Sequence, residues 1–136
     1  MKVLVVEDDF ISRNFLQKLL GKFGACDVAV NGEEALVAFN HAHSEKAPYD
    51  LICLDIMMPE MDGQETLKRL RAIEEGLGIG GLAGVKIIMT TALGDKTTVL
   101  NCFKNGCEAY LVKPIMKDKL IAKMQELGLQ FSVPAR

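Results

Sequence analysis

The sequence predicts an α/β domain in which five parallel strands alternate with five helices as a doubly wound sheet. Short apolar runs recur five times, and each is followed by a stretch with helical spacing; that alternation builds strand–helix units on a parallel sheet. The apolar strands fit this, because a parallel strand is covered on both faces. The chain has 136 residues, 49% hydrophobic and 25% charged, which supplies one core and leaves little for a second domain.

The elements follow in order. Residues 3–6 (Val-Leu-Val-Val) read as a buried first strand. Phe10, Ile11, Phe15, Leu16, Leu19, Leu20 and Phe23 then recur at helical spacing, with Gly21 and Gly24 near the stop. Residues 26–30 form a second strand. Asn31 is placed to cap a second helix whose first turn carries Glu33 and Glu34, where the helix dipole favours acids. Ala35, Leu36 and Phe39 are its apolar face. Residues 50–54 are the third strand, followed by the loop 57–63 and a helix carrying Leu67, Leu70 and Ile73. Residues 85–89 are the fourth strand and 95–105 the fourth helix, closed by Asn105-Gly106 as a left-handed cap. Residues 108–112 are the fifth strand, and 116–127 a last helix after Pro114. The domain spans 1–128, with a short tail at 129–136, frayed from Phe131 on. The glycine-rich stretch 76–84 reads as a flexible connection, longer than the usual ~2–6 residues.

Composition excludes several classes. Lys and Arg number 16 against 18 Asp and Glu, for a net charge of −2; no basic surface for nucleic acid is expected. No apolar run approaches the ~20 residues of a membrane span, and only four apolar residues follow Lys2, too few for a signal-peptide core. Cys26, Cys53, Cys102 and Cys107 form neither a CxxC pair nor a zinc-finger set. A reduced cytoplasmic protein is expected. His41 and His43 are two apart, do not share a helix face, and read as solvated.

Open α/β sheets bind ligands outside the carboxyl ends of their strands. Strand one runs into Glu7-Asp8-Asp9, strand three into Asp55, strand four into Thr90-Thr91-Ala92, and strand five into Lys113-Pro114. If strands one and three are neighbours, at least three carboxylates crowd one pocket. Their repulsion demands a cation; an all-oxygen donor set selects a hard one, Mg²⁺ or Ca²⁺, and Mg²⁺ suits better, being held by one or two carboxylates with waters and often a phosphate. A Mg²⁺ site that receives a phosphate accounts for every one of these residues. Asp55 is the nucleophile, Asp8 and Asp55 hold the metal with Glu7 assisting, and Thr91 and Lys113 bind phosphoryl oxygens. Each residue also has a plainer reading. Asp9 caps the first helix, Glu7 and Asp8 are solvated loop acids, Thr91 satisfies a strand end, and Lys113 is a surface lysine. Only the set of four strand ends together favours the site.

In these motifs the chain resembles the receiver domains of bacterial response regulators, the CheY-like family. The motifs are Val3-Leu4-Val5-Val6-Glu7-Asp8-Asp9, Leu54-Asp55-Ile56-Met57-Met58-Pro59-Glu60-Met61-Asp62-Gly63, Thr91-Ala92, and Tyr110-Leu111-Val112-Lys113-Pro114. The resemblance covers nearly the whole chain. It implies a flavodoxin-like (βα)5 fold with strand order 2-1-3-4-5 and phosphorylation of Asp55. It further implies Mg²⁺ held by Glu7, Asp8, Asp55 and the backbone carbonyl of Met57. Thr91, with Ala92 beside it, and Lys113 match the phosphate-binding switch positions, and Tyr110 matches the aromatic switch. A cis Lys113–Pro114 peptide is implied as well. Glu7 stands where Asp is more frequent. The expected partners are a sensor histidine kinase or phosphotransfer protein and a downstream effector, and the chain resembles a stand-alone receiver. It is not expected to be an enzyme beyond its own phosphorylation and dephosphorylation.

The alternatives are a phosphorelay intermediate, an aspartyl-phosphate phosphatase and a flavin protein. The phosphatase needs a second acid two residues beyond the nucleophile, where Met57 stands. A flavin protein needs a phosphate-binding loop where this chain has three acids. Met57 and Leu93, each two residues beyond a key position, either pack or hinder the hydrolytic water.

Overall fold

The computed structural model describes residues 1–92 and 95–132; Leu93 and the last four residues of the tail lie outside the described residues. The strands are β1 (Lys2–Val6), β2 (Ala25–Ala29), β3 (Leu51–Asp55), β4 (Lys86–Thr91) and β5 (Ala109–Val112). The helices are α1 (Phe10–Leu20), α2 (Gly32–Ser44), α3 (Gly63–Gly76), α4 (Lys96–Lys104) and α5 (Lys117–Glu126). The sheet is parallel in the order β2-β1-β3-β4-β5.

Side-chain alternation along each strand divides the core into two layers. Val3 and Val5 of β1, Leu51 and Cys53 of β3 and Ile88 of β4 pack with Leu16, Leu19 and Leu20 of α1 and Leu120 and Met124 of α5. Leu4, Val6, Ile52, Leu54, Ile87 and Met89 point the other way, onto Ala35 and Phe39 of α2, Leu67 and Leu70 of α3 and Cys102 of α4. This double coverage is why β1, β3 and β4 read as apolar runs, while the edge strands β2 and β5 expose part of their length. All four cysteines are free thiols, and burial pushes the Cys53 thiol up to about 12.

Four helices start on a side-chain cap. Asp9, Asn31, Asp62 and Asp95 accept from the backbone N–H of Ser12, Glu34, Glu65 and Thr98 at 2.9, 2.8, 2.9 and 3.2 Å, each cap being worth about 1 kcal/mol. Asp9 is therefore a capping residue. The left-handed stop after α4 falls on Gly106 (φ 103°), where the Cys107 N–H reaches the Cys102 carbonyl at 3.0 Å.

Four features depart from the sequence expectation. α1 ends at Leu20 rather than Phe23, because the chain tightens there: the Phe23 N–H bonds the Leu20 carbonyl at 3.0 Å. Phe131 is not frayed. Its ring meets Phe23 edge-on at 5.1 Å, and Leu129 joins the same layer. His43 is half-buried with its ring edge-on to Phe39 at 4.8 Å, so only His41 is a solvated histidine. Finally, the stretch 76–84 is not connection alone. α3 runs to Gly76, Gly78 and Gly81 adopt positive φ (76° and 55°), and a 3₁₀ turn spans Gly81–Ala83.

That stretch is tied at its end by a buried polar cluster with no signature in the sequence pattern. The Glu74 carboxylate accepts from the Val85 N–H at 2.7 Å, and Glu108 accepts from the Ile87 N–H at 2.7 Å. Both acids pair with the Arg71 guanidinium, at 2.7 and 2.9 Å. They supply acceptors along β4 ahead of the point where β5 begins to pair with it.

Candidate functional site: an acidic pocket at the carboxyl edge of the sheet

Parallel register brings the strand ends together. Val6 pairs with Leu54, so Glu7 follows β1 beside Asp55, the last residue of β3. Asp55 pairs with Thr90, and Thr91 with Val112, so Lys113 leaves β5 next to the end of β4. The Lys113 N–H donates to the Thr91 carbonyl at 2.7 Å, closing that side. α3 approaches so closely that a Cβ on Gly63 would collide with the Asp55 carbonyl oxygen. Only glycine permits that approach.

One oxygen each from Glu7, Asp8 and Asp55 lie within 4.8 Å of one another. Glu7 and Asp55 are 1% and 2% exposed, while Asp8 opens to solvent. Lys113 Nζ donates to Glu7 Oε1 at 2.6 Å and stands 3.3 Å from Asp55 Oδ1. The second approach is an ion-pair distance without hydrogen-bond geometry, and Asp55 Oδ1 is left with no hydrogen-bond partner. Glu7 Oε2 accepts from the Asp9 N–H at 3.2 Å. The Lys113–Pro114 peptide is cis.

These surroundings set the charges. Burial, then the charge of Glu7 beside it, push Asp55 up to about 7, against the pull of Lys113. Burial works to lower the Lys113 ammonium, but its hydrogen bond to Glu7 and the charges of Asp55 and Glu7 outweigh that and hold it above the usual lysine range. A buried carboxylate oxygen with an open lone pair and two more acids beside it form a donor set suited to a small hard cation. Among the described residues this is the one group of three or more Asp, Glu, His or Cys side chains so placed.

Thr91 is buried at the end of β4, and Ala92 is exposed just beyond it. Tyr110 faces outward on β5, about a third exposed, edge-on to Phe103 of α4 at 6.0 Å. The Met57 side chain is exposed beside the pocket. His41 is remote from the site and lies 3.8 Å from Glu45. Sequence reasoning missed Arg13. Its Nη1 donates to the carbonyl oxygens of Glu7 and Asp8 at 3.0 and 3.2 Å. Its only sequence signal was its place in the first turns of the helix that follows the acids.

Comparison with known proteins agrees with this geometry. The family model described as response regulator receiver domain matches residues 3–125. The chain is 30% identical over 128 residues to the chemotaxis protein CheY of Listeria monocytogenes, covering 93% of this chain and 97% of that one. It is 34% identical to the transcriptional regulatory protein ResD of Bacillus subtilis, covering 93% of this chain but 47% of ResD. It is 35% identical to the hybrid signal transduction histidine kinase L of Dictyostelium discoideum, covering 93% of this chain and 7% of that one. The chain thus spans half or less of several longer relatives it matches.

Among solved structures, it superposes on the CheX–CheY–BeF3–Mg²⁺ complex from Borrelia burgdorferi with a TM-score of 0.81 and 26% identity, covering 96% of this chain and 90% of that one. The receiver domain of the histidine kinase CKI1 from Arabidopsis thaliana, complexed with Mg²⁺ and BeF3⁻, gives 0.80 and 28%, covering 93% and 89%. Five parallel strands in this order, the acidic pocket at their carboxyl edge and a family match over nearly the whole length lead to one conclusion: the chain belongs to the response regulator receiver domain family.

Proposed function

We propose that the chain accepts a phosphoryl group on Asp55 from the phosphohistidine of a sensor histidine kinase or phosphotransfer protein, and then controls an effector protein. The observation that carries this reading is the buried Asp55 Oδ1, free of hydrogen bonds, beside Glu7, Asp8 and Lys113. In the transfer, an Asp55 oxygen forms the new O–P bond as the N–P bond breaks, and the imidazole nitrogen keeps the electron pair and takes up a proton. Glu7, Asp8, Asp55 and the Met57 carbonyl would hold Mg²⁺, which when bound neutralises charge on the phosphoryl oxygens. Lys113 and the Thr91 hydroxyl bind those oxygens.

The movement of Thr91 and Lys113 toward the phosphoryl group biases Tyr110 inward and reshapes the α4–β5–α5 face. That face exposes Leu100, Phe103, Val112 and Met116, apolar surface that suits a protein partner. On this reading the chain turns over no other substrate and works in the cytoplasm, where its kinase and effector would be. No helix among the described residues is long and apolar enough to cross a membrane.

Intact mass after incubation with a small phosphodonor tests the reading. The wild type gains one phosphoryl group with Mg²⁺ and none with the metal chelated, and Asp55→Ala gains none. A wild type that stays unmodified, or an undiminished gain in Asp55→Ala, rejects it.

On the same reading the exposed Met57 side chain, two residues beyond Asp55, hinders the hydrolytic water. Met57→Asn replaces apolar bulk with a group that can hydrogen-bond that water. Loss of the phosphoryl group, followed by mass after the donor is removed, is expected to run several-fold faster in the variant; an equal rate assigns Met57 to packing alone.

A further inference from the structure

Arg13 grips the acidic loop from its backbone side. One guanidinium nitrogen, Nη1, spans two consecutive peptide oxygens, 3.0 Å to Glu7 and 3.2 Å to Asp8. Those are the two residues whose carboxylates face Asp55. The Arg13 N–H closes on the Asp9 carbonyl at 2.9 Å, so the first turn of α1 and its side chain hold the same three-residue loop. The guanidinium also lies over the Phe10 ring, 5.6 Å from its centroid, which restricts its approach. The Glu7 carboxylate is oriented in turn by the Asp9 N–H on one oxygen and Lys113 on the other.

We propose that Arg13 is a positioning residue of the metal pocket: it fixes the Glu7-Asp8 backbone so that both carboxylates converge with Asp55, and this geometric effect on Mg²⁺ binding outweighs the repulsion of its charge. The inference rests on the Mg²⁺ reading above and extends it to a residue that touches neither the metal nor the phosphoryl group. It gives the two cations of the site opposite signs. Lys113 contacts the carboxylate oxygens themselves and competes with a metal for them. The Arg13 guanidinium bonds the carbonyl oxygens of the loop and not its carboxylates. If charge alone mattered, removing either cation would tighten Mg²⁺ binding. If Arg13 builds the loop, its removal weakens binding, as loss of an orienting partner does at other metal sites.

The experiment is a titration of the ¹⁵N-labelled full chain with MgCl₂, read by amide shifts, for the wild type, Arg13→Met, Arg13→Lys and Lys113→Met. Lys113→Met is expected to bind more tightly than the wild type, and Arg13→Met more weakly by roughly tenfold. Arg13→Lys keeps the charge, but its side chain is one bond shorter than the path to the Nη1 that reaches both carbonyls, and it is expected to weaken binding too. Affinity in Arg13→Met equal to or above that of the wild type overturns the inference. If Arg13→Met lacks a native amide spectrum, Arg13→Lys decides, and wild-type affinity there overturns it. A merely structural role would lower the melting temperature and leave the affinity of the folded protein unchanged. A wild type that shows no Mg²⁺-dependent shifts rejects the metal reading itself, which separates the two failures.

Discussion

Asp55→Asn is expected to make the metal-free protein more stable at pH 8, although it removes the proposed reactive carboxylate. The cause is the same burial that defines the site. Asp55 is 2% exposed and pushed up to about 7 by burial and by Glu7, with Lys113 offsetting only part of the cost. In the unfolded chain an aspartate titrates near ~3.9. Below that value both states are protonated and nothing is lost. As pH rises through the interval up to about 7, the unfolded chain releases its proton while the folded one keeps it. The folded state binds more protons there, so stability falls with rising pH. Above that interval the deficit is complete, on the order of 2–4 kcal/mol at about 1.4 kcal/mol per pKa unit.

Asparagine has the same shape and no charge, so it escapes this loss. Urea unfolding of both proteins in EDTA is expected to show the variant more stable by that order at pH 8, with the gap closing toward pH 4. Added Mg²⁺ narrows the gap, because the wild type, which keeps Asp55 as a ligand, gains more from a bound ion than the variant does, about 2.7 kcal/mol at a hundredfold excess over Kd. A variant no more stable than the wild type at pH 8 in EDTA would mean that Asp55 is not held at a cost.

The strain at Asp55 was legible in the sequence because it follows from topology. A parallel sheet aligns its carboxyl edges, and Val6, Leu54, Met89 and Val112 end apolar strands whose next polar residues must share that edge. Glu7, Asp55, Thr91 and Lys113 could therefore be grouped without knowing a distance. What could not be read was which acid Lys113 prefers. Only the folded chain puts Nζ 2.6 Å from Glu7 and 3.3 Å from Asp55, and that choice leaves Asp55 Oδ1 without a hydrogen bond. Phe131 escaped for a different reason: its partner Phe23 is distant in the sequence, and a lone aromatic near a chain end carries no period. Arg71 escaped because it sits on a helix among other charged residues, where position alone does not separate it from the solvated Arg69.

Arg71 and Arg69 are expected to differ sharply when truncated. Arg69 reaches Glu65 at 2.9 Å, with both side chains about half exposed, a pair worth roughly 0.5 kcal/mol or less. The Arg71 side chain is 20% exposed and that of Glu74 is 5% exposed. Its Nε and Nη2 bond the Gly106 carbonyl at 3.0 and 2.7 Å, Nη1 bonds Val85 O at 2.9 Å and Glu74, and Nη2 also reaches Glu108. One guanidinium thus joins α3, the segment entering β4 and the turn entering β5.

Arg71→Ala leaves the Glu74 carboxylate buried without its counter-ion and strips two carbonyls of their donors. The expected loss is about 3–5 kcal/mol by urea unfolding, the range for breaking a buried pair from one side. Arg71→Lys cannot fork to these acceptors and should fall between. Most of the cost is the stranded charge rather than the lost attraction, so Glu74→Gln added to Arg71→Ala is expected to recover part of it: a neutral amide oxygen still accepts from the Val85 N–H without the desolvated charge. A double variant as unstable as the sum of the singles would place the cost in the lost hydrogen bonds to Gly106 and Val85 instead.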